Sequence, residues 1–294
     1  MINFEAVRLW CLALLFVIIG LFSSSACLAQ DKTEAKVKTD QFCQNWNDGD
    51  RSQFNEIREF TVASSGTLTV DGGMNGGVSV IGEDRPDVFI RACVQAHAKT
   101  DEESKALARG ISIQTGPVIR AEGPSDAQKG WGENKGWGVS YRISVPRNSN
   151  LKLTAHNGGI KITGVNGTME FETLNGGIKL NDVAGNVKGR TVNGGLHVEL
   201  SGKSWNGAGL DVTTTNGGVK LTMPENYAAH VETGTVNGGF KSDIAGLAPP
   251  PVDENQRRYG HRAVRINTAI NGGGAPIKLI TTNGGVKIST PGNE

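Results

Sequence analysis

One short phrase recurs along the second half of the chain and constrains the fold more than any other feature of the sequence. It reads Thr, any residue, Asn, Gly, Gly, followed by an apolar, a polar and an apolar residue. Close copies are TLNGGIKL at 173–180, TVNGGLHV at 191–198, TTNGGVKL at 214–221, TVNGGFKS at 235–242 and TTNGGVKI at 281–288, and looser copies begin at 73, 155 and 269. Because the residues of a catalytic site normally occur once in a sequence, a phrase repeated this often indicates a structural repeat.

The spacing of the repeated asparagines is typical of the coils of a β-solenoid. Most successive copies lie 18 to 23 residues apart, whereas helical repeats are longer and avoid so much Gly, Thr and Val. We interpret each Asn-Gly-Gly as a sharp turn, since both residue types tolerate positive φ. The predicted structural turns are those at Asn157, Asn175, Asn193, Asn216, Asn237, Asn271 and Asn283.

Two all-β folds fit this pattern. In a β-solenoid (a parallel β-helix-like fold) the turns stack, the flanking apolar residues point inward, and the Asn amides form a ladder with a step of about 4.8 Å. In an antiparallel twisted sheet or barrel, each Asn-Gly would close a hairpin. We favour the solenoid because an antiparallel sheet does not require every turn to be the same. One short helix is expected near residues 101–109, where Thr100 or Asp101 can cap a run of acids.

Changes in composition predict four segments. Residues 1–29 have the short apolar run and small-residue end of a signal peptide, with an uncleaved anchor or a lipid-modified Cys27 as the alternatives. Residues 30–56 are polar and read as a flexible arm. Residues 57–145 form an irregular β part, and residues 146–292 form the regular repeats, with a Pro-rich inserted loop at 245–262.

Export would place the remaining cysteines in an oxidising compartment. After removal of the leader only Cys43 and Cys93 are left, and we expect a disulfide between them, with two separate thiols as the alternative. Closing that loop is worth about 3–4 kcal/mol in the chain-entropy model.

The polar residue that follows each turn is nearly always basic. It is Lys161, Lys179, His197, Lys220, Lys241 or Lys287, and in-register coils would align these side chains on one face. Such an arrangement could bind an acidic partner, namely an anionic polymer or glycan, lipid head groups or exported DNA, or it could simply keep the strands soluble and block edge pairing. We expect Glu170 and Glu172 to lie close enough to neutralise part of it. Trp131 and Trp137, in two KGWG phrases, are further candidate binding residues that could stack on sugars or could be buried.

The phrases GGVSVIGEDRPDVFIRA, YRISVPRNSNLKLTAHNGGIKI and the repeated TxNGGI resemble the bacterial DUF4097 family, whose members are named "putative adhesins". The resemblance covers residues 57–290. It implies an exported, solenoid-like domain and supplies no catalytic residues. The KGWG loop and the Pro-rich insertion depart from the family pattern.

No enzyme motif stands out in the sequence. The acids are spread singly, the histidines lack metal-ligand spacing, and neither a phosphate-binding loop nor a nucleophile motif is found. We therefore expect a non-enzymatic cell-envelope module without a metal or cofactor, and the competing class is a polysaccharide-active enzyme. The net charge of +1 does not indicate a specific nucleic acid as a partner. The expected partners are a glycan, an anionic polymer or an envelope protein. A membrane would be reached only through a lipid anchor.

Overall fold

The computed structural model describes residues 41–44, 52–125, 135–249 and 263–292, and these form an all-β structure with one α-helix. Within them, no helix has the length and apolar character needed to cross a membrane. The helix α1 is Asp101–Arg109. The strands are β1 Ser52–Ala63, β2 Thr67–Asp71, β3 Val78–Glu83, β4 Asp87–Ala98, β5 Ser112–Thr115, β6 Val118–Glu122, β7 Gly136–Pro146, β8 Asn150–Ala155, β9 Ile160–Thr163, β10 Asn166–Thr173, β11 Ile178–Asn181, β12 Ala184–Thr191, β13 Leu196–Glu199, β14 Gly209–Asn216, β15 Val219–Thr222, β16 Ala229–Asn237, β17 Phe240–Ser242, β18 Val264–Ile270, β19 Pro276–Asn283 and β20 Val286–Ser289.

The all-β class and the single helix are confirmed, and the helix begins as its sequence predicts. The Thr100 hydroxyl accepts a hydrogen bond from the backbone N–H of Glu103 at 3.2 Å, and three acids occupy the first turn. This satisfies one of the free N–H groups at the helix start. The chain leaves the helix at Gly110.

The strands form two ten-stranded sheets. Sheet A has the order β1-β4-β7-β3-β9-β11-β13-β15-β20-β17, and sheet B has the order β18-β16-β19-β14-β12-β10-β8-β2-β6-β5. The strands of the repeats pair in parallel, and antiparallel pairs occur only towards the ends of the sheets. The antiparallel alternative is therefore wrong for the repeats, and the arrangement is β-solenoid-like.

Each coil contributes one strand to each sheet. The strand before the Asn-Gly-Gly turn lies in sheet B and the strand after it lies in sheet A, so Met169 pairs with Val187, and Ile178 pairs with Leu196. Alternate residues point into one buried cluster that both sheets share. Burial of this apolar surface is the main force holding the coils together.

The asparagine side chains form a continuous ladder at the turn. The amide of each asparagine after Asn75 donates to the side-chain oxygen of the asparagine in the adjacent coil, at 3.1 Å for the step onto Asn75 and 2.8 Å for the others. The ladder runs through Asn75, Asn157, Asn175, Asn193, Asn216, Asn283 and Asn237. Asn75 belongs to the range 57–145, so the regular stack extends into the part expected to be irregular.

Asn271 does not belong to this ladder. It has a φ of 49° and closes a separate turn, in which its amide donates to the backbone oxygens of Glu225 at 2.8 Å and Tyr227 at 2.9 Å. The copy at 269 is thus similar in sequence to the repeats but different in structure.

The reason for the paired glycines also differs from the expected one. In the ladder turns from Asn157 to Asn283, which all lie in the described part of the chain, neither the asparagine nor its two glycines have positive φ. The first glycine is instead required by close packing, because a Cβ on Gly176 would overlap the backbone oxygen of Gly158. The same overlap recurs in every coil of the ladder.

The coils do not stack in chain order at the C-terminal end. Strand β19 pairs with β14 on one side and with β16 on the other, and β20 lies between β15 and β17. The last coil in the sequence therefore lies inside the stack, between two coils that precede it in the chain. Strand β18 covers the outer side of β16 in an antiparallel pair.

The other end of sheet A is closed by long antiparallel strands and a disulfide. Strands β1, β4 and β7 form this end, and β7 continues in parallel into β3. Cys43 and Cys93 are bonded, with their Cα atoms 5.5 Å apart, so the short turn at Gln41–Cys43 is fixed onto β4. Three predicted segments lie wholly or partly outside the described residues. They are the leader 1–29, the arm 30–56 except for residues 41–44 and 52–56, and residues 250–262 of the Pro-rich loop.

Candidate functional site

The basic residues that follow the turns stand side by side on the outer face of sheet A. Lys161 pairs with Lys179, which pairs with His197, and the series continues through Lys220, Lys287 and Lys241. We call these six residues the lysine column. Neighbouring members are one strand spacing apart, about 4.8 Å. Three of the five steps, Lys161–Lys179, Lys220–Lys287 and Lys287–Lys241, place two ammonium groups side by side, which is unfavourable without an anion nearby.

The lysine column is open to solvent, and most of its ammonium groups lack a carboxylate. Lys161 and Lys241 are exposed, while Lys179, Lys220 and Lys287 are half-buried. Within the part of the chain that the structure describes, no ion pair involves Lys161, Lys179, Lys241 or Lys287.

Two arginines extend the basic face beyond the predicted residues. Ser79 pairs with Lys161 on one side and with Arg142 on the other, and Arg142 pairs with Arg91. Arg91 forms an ion pair with Glu59 at 2.9 Å. Sequence analysis missed both arginines because they lie on β4 and β7, which do not carry the repeated phrase.

The outer face of sheet B carries charges of both signs in alternation. Across neighbouring strands the equivalent positions alternate strictly in sign and are Lys152, Glu170, Lys188, Asp211, Lys278 and Glu232. The Lys278 ammonium lies 3.1 Å from Asp211. We call these six residues the alternating column, and its charges neutralise one another.

The expectation that Glu170 and Glu172 neutralise the lysines is wrong. Both residues lie on β10 in sheet B, where Glu170 belongs to the alternating column and Glu172 pairs with Arg190. The hydrogen bond that the Arg190 guanidinium donates to the Glu172 carboxylate raises the pKa of that guanidinium above its ordinary value. The strand before the turn and the strand after it belong to different sheets, so these acids and the lysine column are on separate faces.

A groove of about 980 Å³ lies over sheet A where the lysine column begins. Lys161 and Lys179 line it together with Phe42, Gln95 and Ser140, and its remaining surface includes asparagines and glycines of the first three ladder turns. None of the described residues that line it is acidic. The groove therefore combines positive charge, amide and hydroxyl groups, and an aromatic wall.

The aromatic wall is held in place by charge and by a covalent bond. The Phe42 ring lies against the guanidinium groups of Arg142, at 4.4 Å, and Arg91, at 5.9 Å, from ring centroid to Cζ. Such cation–π contacts contribute on the order of 0.5–1 kcal/mol each at exposed sites. The disulfide of the adjacent Cys43 fixes the backbone, so Phe42 closes the arginine end of the groove.

Of the two candidate tryptophans, Trp137 is not available for binding. Trp137 is 5% exposed, lies in the core, and donates its indole N–H to the backbone oxygen of Pro124 at 3.0 Å. Trp131 lies outside the described residues.

The described residues contain no cluster of three or more His, Cys, Asp or Glu suited to a metal ion. Tyr141 also lines the groove, and its side chain is 1% exposed. Burial, and secondarily the charge of Asp71, raise the pKa of the Tyr141 phenol well above its ordinary value, so this group stays neutral at physiological pH. The groove therefore presents cations and neutral polar groups, whereas a glycosidase uses a pair of carboxyl groups.

Comparisons with known proteins find solved structures of low sequence identity, three of which are as follows. A putative cell adhesion protein from Clostridium sporogenes is 10% identical, with a TM-score of 0.42, and the alignment covers 81% of this chain and 100% of the other. A putative adhesin from Bacteroides fragilis is 9% identical (TM-score 0.31; 80% and 97% covered). A putative lipid binding protein from Parabacteroides distasonis is 11% identical (TM-score 0.31; 80% and 96% covered).

No curated protein matches the chain. A family model does, and it covers more than half of the sequence. The match spans residues 126–289, which include the complete run of turns from Asn157 to Asn283, and its description is Toastrack DUF4097. The chain is therefore a member of the DUF4097 family.

Proposed function

We propose that this protein is an exported, non-enzymatic module of the cell envelope that presents the basic face of sheet A to an anionic partner. Its β-solenoid scaffold, built from the Asn-Gly-Gly turns, acts as a rigid support that holds the lysine column in line.

The observation that carries the proposal is the contrast between the two columns. Both lie on parallel strands of the same coils, so their side chains have the same spacing and a similar exposure to solvent. The alternating column places opposite charges next to each other, whereas the lysine column has five lysines, one histidine and no acid, so that neighbouring ammonium groups repel one another. An external anion would remove that repulsion and would gain from several ammonium groups at once.

The simpler explanation, that lysines protect a sheet from aggregation, fits the positions poorly. Charges that block unwanted pairing are needed on edge strands. In the lysine column only Lys241 lies on an edge strand of sheet A, and the other members lie on interior strands that already have two neighbours. The alternating column shows that solubility alone does not require like charges.

Export is supported by the disulfide and by the leader-like residues 1–29. A bond between Cys43 and Cys93 is stable in the periplasm or outside the cell, and rare in a reducing cytosol. We propose that the mature chain begins near residue 30 and lies in the periplasm, on the outer envelope or outside the cell.

Two charge-matched triple variants test the binding proposal. One replaces Lys161, Lys179 and Lys287 by Gln, and the control replaces Lys152, Lys188 and Lys278 by Gln, so that both lose three positive charges. Binding of the chain from residue 30 is measured on an array of anionic and neutral glycans and lipids. We expect the first variant to bind its anionic ligand about tenfold more weakly than the control, since exposed charge contacts contribute up to about 1 kcal/mol each.

Equal loss of binding in the two variants would show that net charge alone matters, and unchanged binding in the first would exclude the lysine column. The same samples test the competing class. Shortening of a bound polysaccharide on incubation with the wild-type chain would identify an enzyme and contradict the non-enzymatic proposal.

A further inference from the structure

We propose that the anionic partner is a linear acidic polysaccharide with one carboxylate per sugar, and that the groove beside Phe42 binds the residues at one end of the bound stretch. This inference rests on the proposed function and specifies its ligand. It combines three observations, namely the composition of the groove, the repeat of the face and the position of Phe42.

The groove has the composition of a site for an acidic sugar. Phe42 supplies an aromatic ring on which the C–H face of a pyranose can stack. Ser140 and Gln95 offer hydrogen bonds to hydroxyl groups, and the ammonium groups of Lys161 and Lys179 are placed to pair with carboxylates. The glycines of the floor carry no side chain, so a flat ring can approach the backbone closely.

The face beyond the groove repeats the same groups once per coil. Each of the six coils that carry the lysine column presents an exposed asparagine, then an exposed second glycine, then the basic residue, whereas the Asn75 coil has Ser79 in that position. Each amide inside the ladder, at Asn157, Asn175, Asn193, Asn216 and Asn283, uses one N–H and one lone pair for its neighbours, which leaves one of each for a ligand. A ligand that meets identical groups at every step must itself be a repeating polymer.

The step of this repeat fits a sugar chain. Neighbouring strands are about 4.8 Å apart, so the lysine column spans about 24 Å over its five steps. An extended pyranose chain advances by roughly the length of one sugar ring per residue, which is close to one strand spacing. One carboxylate per sugar would therefore bring one carboxylate to each ammonium group.

Other polyanions fit these features less well. Single-stranded nucleic acid is normally bound by aromatic side chains that stack successive bases, and the lysine column contains none. An anionic membrane attracts a broad basic patch, whereas the basic residues here form one line that begins in a groove.

Phe42 gives the bound chain a defined end. Its ring covers the guanidinium groups of Arg142 and Arg91, which would otherwise continue the basic face past Ser79. The polymer would therefore start at the Phe42 wall and extend along the lysine column towards Lys241.

Uronate oligomers of two lengths separate the groove from the column. Oligogalacturonates of about three sugars and about ten sugars are titrated into the chain from residue 30 by calorimetry. Three sugars at about one strand spacing each fit within the groove, whose lining residues lie on the five adjacent strands from β4 to β11, and ten sugars exceed the column. We expect both to bind, and the longer oligomer to bind more tightly.

One single and one double variant then show which part of the protein binds which part of the oligomer. Phe42→Ala should weaken both oligomers about fivefold by removing the stacking contact, and Phe42→Tyr, which keeps the ring, should restore binding. Lys220→Gln with Lys287→Gln should weaken the long oligomer only. Retention of the Cys43–Cys93 disulfide and of the thermal midpoint checks that Phe42→Ala is folded.

The outcomes distinguish this inference from the function on which it rests. Binding of the long oligomer without the short one, or no effect of Phe42→Ala on either, would overturn the groove and leave the lysine column in place. Tighter binding of single-stranded DNA or of phosphatidylglycerol vesicles than of the uronate would overturn the ligand class. Failure of every polyanion to bind would instead contradict the proposed function itself.

Discussion

Three of the four fixed residues of the repeated phrase each hold one coil to the next. The buried threonine donates its hydroxyl to the backbone oxygen of the first glycine in the adjacent coil, at 2.7 Å, as Thr191 does to Gly176. The asparagine extends the amide ladder, and the first glycine lets the backbones approach. Because the hydroxyl is buried, its hydrogen bond also avoids the cost of an unsatisfied polar group.

The two glycines of one turn should respond differently to the same substitution. A Cβ at Gly176 would overlap the backbone oxygen of Gly158, whereas a Cβ at Gly177 would lie 3.3 Å from that of Gly195. We expect Gly176→Ala to lower the free energy of unfolding by about 1–3 kcal/mol, and Gly177→Ala to change it by less than about 1 kcal/mol. Urea denaturation of both variants measures this, and equal effects would show that close packing is not what selects the first glycine.

Sequence reasoning identified the turns but misjudged what the glycines do there. Asn-Gly is a familiar signal for positive φ, and that signal describes the turn at Asn271 correctly. In the ladder turns the constraint comes from a neighbouring coil, which is 18 or more residues away in the sequence. A local pattern carries no information about such a contact until the stacking register is known.

Packing between neighbouring strands pairs a large residue with a missing side chain. Phe171 on β10 stands opposite Gly189 on β12. The Phe171 ring occupies the space above Gly189, so that a Cβ there would overlap the ring. Phe171 is only 2% exposed. Gly189, which is not part of the repeated phrase, therefore makes room for this buried ring in the core.

This pairing predicts a coupled pair of substitutions. Gly189→Ala should destabilise the protein by about 1–3 kcal/mol through overpacking, and Phe171→Leu should also destabilise it by leaving space unfilled. In the double variant the added methyl group enters that space, so its loss of stability should be smaller than the sum of the two single losses. Additive losses in a urea denaturation cycle would show that the two side chains do not compete for the same space.

Strand positions could be predicted far better than strand partners. Alternating apolar residues locate β9, β11, β13, β15 and β20 because each strand's pattern is local. The alternating column on sheet B and the extension through Arg142 and Arg91 depend on which strands pair. The sequence therefore predicted the residues of the lysine column but not the order of Lys287 and Lys241, nor the groove.

The whole molecule is stabilised differently at its two ends. Long antiparallel strands, the helix and the disulfide cover the end formed by β1. At the opposite end, β16 and β17 form the outermost coil of the stack, and all of their sheet partners in the described structure come from residues after 263. The order of the coils thus makes the last described segment of the chain an internal part of the structure.

Removal of that segment should therefore expose more than one coil. In a linear repeat protein each unit is stabilised by its neighbours, so in a chain ending at residue 262 the coil at 229–242 would lose both β19 and β20. We expect its backbone amides to lose their protection from hydrogen exchange, while those of β11 and β13, which keep their partners, stay protected. Exchange measured by mass spectrometry on the chains 30–294 and 30–262 makes the comparison. Protection of 229–242 in the shorter chain would mean that this coil packs directly on the coil at 209–222, as stacking in chain order requires, and would contradict the interior position of the last coil.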